Sequence, residues 1–197
     1  MSDLELLRKY REERSDDAFA LLVERHLDMV YSAALRQLRS TQLAEEVAQA
    51  VFSDLAQNCS RLKTETVLAA WLHEVTRRTA IDLIRKEARR QHREKIAVLM
   101  SEPNQNSPEW SKIEPFLDEA LSRLNPKDRA AVLLRFFDDK PFREIGETLR
   151  ISEDAAQKRV DRAIERLGKL LGAPGIRVGT ASLAGCLSVH AVHAAPG

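Results

Sequence analysis

Apolar residues in this chain recur at three- and four-residue steps, and no stretch alternates at two. Phe19, Leu22, Val23, Leu27, Val30, Tyr31, Ala34, Leu35 and Leu38 form one stripe. Leu43, Val47, Val51, Phe52 and Leu55 form a second, and Leu68, Leu72, Val75, Thr79 and Leu83 a third. A repeat near 3.6 puts such residues on one face of a helix, whereas a half-buried strand needs a repeat of two. The expected fold class is all-α. Composition agrees, since 7 Gly, 7 Pro and 5% aromatics are too few for the turns and aromatic-rich strands of a sandwich or barrel. With 44% apolar and 31% charged residues, the chain can bury a core but is too polar for a membrane protein.

Helix boundaries are written in capping chemistry. Ser2 and Asp3 precede Leu4, Leu7 and Tyr10, and Ser15 precedes Asp16 and Asp17. A hydroxyl that caps the first free N–H groups, followed by acids at the positive end of the dipole, marks a helix start. Residues 101–112, SEPNQNSPEWSK, hold two prolines and little apolar content, which is linker composition. We therefore expect a first helical unit over 1–96, a linker over 97–113 and a second helical unit over 114–172, with the helices of the latter beginning near Glu114. Asn125-Pro126 is a cap followed by proline at the first helical position. Pro141 opens a short helix, Phe142–Leu149, and after Arg150-Ile151 a capping Ser152 opens the next. Two helices so closely spaced predict a helix-turn-helix.

In the last of these helices a wheel puts Ala156, Val160, Ala163, Ile164 and Leu167 on one face. Lys158 and Arg162 lie opposite, flanked by Gln157 and Arg159. One packed face and one polar face suit a helix that enters a DNA major groove, with these four residues as its contacts. The ordinary alternative is a solvated amphipathic face; the short preceding helix and tight turn favour DNA.

The chain's formal charge of +1 argues at first against a polyanion partner. By segment the picture changes: 1–66 carries −3, 67–95 carries +4, 96–125 carries −3 and 126–172 carries +2. Local potential governs polyanion binding, so the two basic blocks are candidate DNA faces. In 71–95 the outward positions include Arg77, Arg85, Lys86, Arg89, Arg90 and Arg93, and Trp71, His73 and Arg78 lie at the upstream end. An aromatic or guanidinium plane there can meet an unstacked base. His26, His73 and His92 are expected to be ordinary surface or boundary residues.

Three segments in order resemble an extracytoplasmic-function (ECF) sigma factor, the small two-domain specificity subunit of bacterial RNA polymerase. LAEEVAQAVFSDLA (43–56) resembles the helix that binds the polymerase core, AWLHEVTRRTAIDLIRKEARR (70–90) the helix that opens and reads the start-proximal promoter element, and 117–171 the domain that reads the upstream element. The resemblance implies polymerase contacts at Glu45, Glu46, Gln49 and Phe52. It implies start-proximal DNA contacts at Asn58, Arg61 and Lys63 in the 57–66 loop, and at Trp71, Arg77, Arg78, Arg85, Lys86 and Arg89. The upstream element falls to Gln157, Lys158, Arg159 and Arg162. The chain departs from the family pattern at Ala50, where an acid is common, at Arg78, where Asn is usual, and at Gln157, where Lys is frequent.

The implied partners are core polymerase and promoter DNA, with control by an anti-sigma protein or by the chain's own tail. No catalytic constellation, cofactor or metal is expected. Cys59 and Cys186 make no disulfide framework, the N-terminus carries no secretory signal, and the reading is cytoplasmic. The 173–197 tail is nearly uncharged but too small and polar for a membrane span. Its Cys186, His190 and His193 share a helical face without a fourth ligand, so incidental histidines are expected rather than zinc. The rival readings are a helix-turn-helix regulator that never engages polymerase, which would have no use for the 43–56 helix, and a regulatory enzyme fused to a DNA-binding unit.

Overall fold

A computed structural model describes residues 1–62, 66–93, 110–171, 180–192 and 195, with side chains for these apart from 86–93, 112, 180 and 181. The described residues form nine α-helices and no strand: α1 (Asp3–Glu13), α2 (Asp16–Leu38), α3 (Thr41–Asn58), α4 (Leu68–Arg93), α5 (Trp110–Arg123), α6 (Pro126–Phe136), α7 (Phe142–Leu149), α8 (Glu153–Leu171) and α9 (Thr180–His190). A 3-10 turn, Cys59–Arg61, follows α3.

The caps act where the sequence places them. Ser2 and Glu5 form a reciprocal capping box on α1, and Ser15 and Ser40 accept from Ala18 N–H and Leu43 N–H at the starts of α2 and α3. Asn125 caps α6 through Asp128 N–H at 2.9 Å, with Pro126 at its first turn. Arg14, Arg39 and Arg150 close α1, α2 and α7 in the left-handed region, at φ 54°, 51° and 56°. Each is a position where glycine would be less strained.

Helices α1 to α4 build the first unit around Leu22, Val30, Val47, Val51, Leu55 and Leu72, all buried. Helices α5 to α8 build the second around Leu117, Leu121, Leu133, Ile145, Ile164 and Leu167. Each such side chain contributes about 1.5–3 kcal/mol by leaving water. Helix α5 starts at Trp110, ahead of Glu114, and Trp110 and Ile113 are wholly buried and extend its apolar stripe back into the stretch read as linker.

The two units do not stand apart. Their buried residues join in one continuous cluster, to which α9 adds Leu183 and Leu187, and the residue after its end, Ala191, a third. No helix among the described residues is long and apolar enough to cross a membrane.

Candidate nucleic-acid interface and helix-lined groove

The helix-turn-helix is made by α7 and α8. Ser152 caps α8 by accepting from Ala155 N–H at 3.2 Å, and Ile151 N–H donates back to the Gly146 carbonyl at 2.9 Å. Gly146 lets the turn close: a Cβ there would lie 2.8 Å from the Ile151 carbonyl oxygen. Ala156, Val160, Ala163, Ile164 and Leu167 are buried, so α8 packs on the face the wheel assigns.

That packing leaves Gln157, Lys158 and Arg162 exposed, with Arg162 Nε donating to the Lys158 carbonyl at 3.0 Å. Arg159 is held differently. Its Nη1 donates to Asp128 Oδ1 at 3.0 Å, and Arg166 meets the other carboxylate oxygen at 2.6 Å. Asp128, almost fully buried, thereby fastens the start of α6 to the flank of α8. Its two arginine partners tie α8 to α6, and three of the four candidate contacts remain exposed, with Asp154 and Asp161 exposed beside them.

Along α4 the candidate residues divide. Arg78 and Arg85 are exposed; Trp71 is half-buried against the core; Arg77 is half-buried and donates to Glu74 Oε1 at 3.4 Å. Arg78 and Arg85 also approach Glu74 and Asp82, at 4.0 and 3.6 Å. The side chains of Lys86 and Arg89, and the whole of Lys63, lie outside the described residues. Asn58 is still helical, the last residue of α3, and its amide donates to Asp54 Oδ1 at 2.8 Å. Arg61 is exposed in the 3-10 turn that follows.

In the first unit, α2 and α3 enclose an apolar groove of about 420 Å³. Phe19, Val23, Leu27, Tyr31, Ala48 and Phe52 line it, and Glu45 and Gln49 stand on its rim. Burial and the nearby Glu45 carboxylate both push the Tyr31 hydroxyl up, so it stays protonated at neutral pH. Glu46 is exposed on the same helix. An apolar trough with an acidic rim suits a helical partner that carries basic residues.

Two expectations need correcting. His26 and His73 are not surface residues; both are wholly buried. His73 Nε2 lies 2.9 Å from Asp118 Oδ1, and the same carboxylate takes a bidentate contact from Arg36, Nε and Nη2 each at 2.9 Å. Burial pushes the Asp118 carboxyl up, but the Arg36 charge and the His73 and Arg36 hydrogen bonds outweigh it and hold it well below the usual carboxylate range. His26 sits between Asp3, at 3.0 Å from Nε2, and Asp138, at 3.4 Å from Nδ1. The Asp138 approach is a charge contact rather than an aligned hydrogen bond, since His26 Nδ1 has no hydrogen-bond partner. Burial works against a charged ring, yet Asp138 and Asp3 together raise its pKa to about 9.

Asp118 and Asp138 belong to the second unit, and Arg36, His73 and His26 to the first. With Arg129 Nη1 on Glu74 Oε2 at 3.0 Å, these contacts form a polar joint between the units. The signal was in the sequence: His26 shares the apolar face of Leu22 and Met29, and Asp118 stands between Leu117 and Leu121. A charge in a core register position asks for a buried partner.

The metal reading of the tail finds another use for one ligand: the His190 ring lies 5.5 Å from the Trp110 ring. Among the described residues no cluster of His, Cys, Asp or Glu could hold a metal, and His193 lies outside them.

A helix-turn-helix, a second arginine-bearing helix and a helix-lined groove are the parts of a DNA-binding transcription protein. Residues 22–90 match the family described as Sigma-70 region 2, and 117–167 match Sigma-70, region 4. The chain is 30% identical over 162 residues to RNA polymerase sigma factor CarQ of Myxococcus xanthus, covering 80% of this chain and 91% of CarQ. It is 26% identical over 178 residues to the ECF RNA polymerase sigma factor SigW of Bacillus subtilis, covering 83% and 94%. The solved structure of CnrH in complex with the cytosolic domain of CnrY matches at a TM-score of 0.42 and 20% identity, covering 88% of this chain and 99% of that one. The chain belongs to the ECF class of RNA polymerase sigma factors. Such a subunit binds core polymerase, recognises promoter DNA and helps to open it.

Proposed function

We propose that this sigma factor divides its work among three faces. Glu45, Gln49 and Phe52, on the rim and wall of the α2–α3 groove, and Glu46, exposed next to them on α3, seat the chain on core polymerase. The exposed arginines of α4, Arg78 and Arg85, and Arg61 beside them in sequence order, meet the start-proximal element, with Lys63, Lys86 and Arg89 extending that set. Gln157, Lys158 and Arg162 on α8 read or grip the upstream element, while Arg159 acts through Asp128 to hold α8 in position. The domain limits of 1–96 and 114–172, the latter lengthened back to Trp110, belong to the same proposal. The chain acts without chemistry of its own: opening a duplex costs stacking energy, which is offset by holding unpaired bases against protein surfaces. Its place of work is then the cytoplasm, with polymerase.

The α2–α3 groove supports this reading over an operator-binding regulator, because a protein that binds DNA alone needs no apolar trough with an acid on its rim. Charge reversal of the rim acid and its exposed neighbour, Glu45→Lys with Glu46→Lys, tests it. Both side chains are exposed, so the fold should stand. Affinity for core polymerase should fall at least tenfold, with upstream-element DNA binding unchanged. Unchanged core affinity would remove the groove from the interface.

A further inference from the structure

Between the two units lies a crevice of about 400 Å³, walled by the end of α2, a stretch of α4 and α5. Neither the α2–α3 groove nor the exposed residues of α8 belong to it. Four arginines line it: Arg36 from α2, Arg39 from its cap, Arg77 from α4 and Arg123 from α5. Only two carboxylates, Asp118 and Glu119, stand with them, which leaves an excess of two positive charges.

Both acids are already engaged. Asp118 holds Arg36 and His73, and Glu119 meets Arg123 at 3.1 Å. Arg123 is 61% exposed, so that pair is weak and most of its N–H groups stay available. Arg39 is exposed and has no ion-pair partner among the described residues. Arg77 is sunk into the crevice, 25% exposed where its neighbour Arg78 is 62% exposed. Its carboxylate partner, Glu74, is shared with Arg78 and Arg129, and its Nε is buried without a hydrogen-bond partner.

A buried guanidinium N–H with no acceptor is costly, and a bound oxyanion would supply one. Planar guanidinium forks match phosphate oxygens two at a time, and partial enclosure strengthens each contact over its value in water. The wall also has an apolar part, Ile81, Ile84 and Pro115, with Ile84 44% exposed. Unpaired guanidiniums beside apolar surface suit a ligand with a phosphate end and a flat, weakly polar body. The volume falls in the range of small-molecule pockets, about 300–1,000 Å³. A DNA duplex has the exposed Arg78 and Arg85 to meet instead.

We propose that this crevice binds a nucleoside di- or triphosphate, with its phosphates on Arg39, Arg77 and Arg123 and its base on Ile81 and Ile84. The ligand bridges α2 and α4 of the first unit and α5 of the second, so binding stabilises the chain by mass action. The assignment is independent of which faces meet polymerase and promoter DNA.

Calorimetric titration of the full chain with ATP, GTP and pyrophosphate, at about 0.1 M salt, tests it. The parent should bind all three saturably. Arg39→Gln with Arg123→Gln, both exposed so that the fold stands, should weaken each by at least about tenfold. Ile84→Ala should weaken ATP and GTP by about threefold or more and leave pyrophosphate as it was. Arg143→Gln, exposed on α7 and outside the crevice, should change none of them. No saturable binding up to about 1 mM, or equal binding by the double variant, overturns the site. An Ile84→Ala chain that binds the nucleotides as the parent does, or loses pyrophosphate equally, overturns the nucleoside assignment. A mixed-sequence DNA duplex whose affinity falls in the double variant as far as that of ATP makes the crevice part of the DNA face and overturns the small-ligand assignment.

Discussion

Asp118→Ala is the sharpest perturbation of the joint. The carboxylate is buried between Arg36 and His73, and its removal leaves the guanidinium, 1% exposed, with one tail carbonyl in place of three acceptor contacts. Breaking a buried pair from one side costs about 3–5 kcal/mol, because the remaining charge is uncompensated. Removing both charges costs far less, since well-packed apolar groups of similar size replace a buried ion pair nearly neutrally. Asp118→Ala with Arg36→Met should therefore recover most of the loss, and the Met side chain can still pack on Phe137, whose ring centroid lies 5.4 Å from the guanidinium. Urea unfolding, followed by circular dichroism and by the fluorescence of Trp110 at the α5–α9 contact, measures both variants. A single variant that loses less than about 1 kcal/mol, or a double variant no more stable than the single, would refute the reasoning.

Three further outcomes are expected. Because the folded pKa of His26 is raised to about 9 from an unfolded value of 6.5, its contribution is fully present below pH 6.5 and is lost as pH rises through 9; urea midpoints should decline over that window in the parent, and His26→Gln should flatten the decline. Gly146→Ala should destabilise the second unit by about 1–3 kcal/mol and weaken upstream-element binding, because its Cβ meets backbone rather than a movable side chain; a thermal midpoint equal to the parent's would show that the turn can give way. Lys158→Ala with Arg162→Ala should weaken upstream-element binding and reduce the salt slope by about 0.9 for each phosphate that is no longer neutralised; an unchanged slope would place the phosphate-binding groups on another face.

Local structure was legible because each element carries its own instructions. Ser15, Ser40, Asn125-Pro126 and Ser152 open helices where their side chains can reach the first free N–H groups, and the 3.6 repeat places the buried face of α8 residue by residue. The exposed part of the candidate DNA set on α8 was legible for the same reason, as the face opposite the packed one. What could not be read was the joint. Arg36, His73 and Asp118 are far apart in the sequence; a charge on an apolar face asks for a buried partner, but nothing local says which helix supplies it. The same holds for Arg159, which the wheel leaves on a groove wall and Asp128, from α6, draws aside. The packing of the tail was also a tertiary fact: α9 carries Leu183 and Leu187 with Ala191 just beyond its end, and nothing local says that the Ala191 carbonyl meets Arg36.

Run-off transcription with purified bacterial core polymerase tests the central claim most directly. Core supplied with this chain should start at discrete positions on a subset of genomic fragments, and the Glu45→Lys, Glu46→Lys chain should lose those starts. Discrete starts that survive the charge reversal would contradict the assignment of the groove, and no discrete start with the parent chain would contradict the sigma-factor account itself.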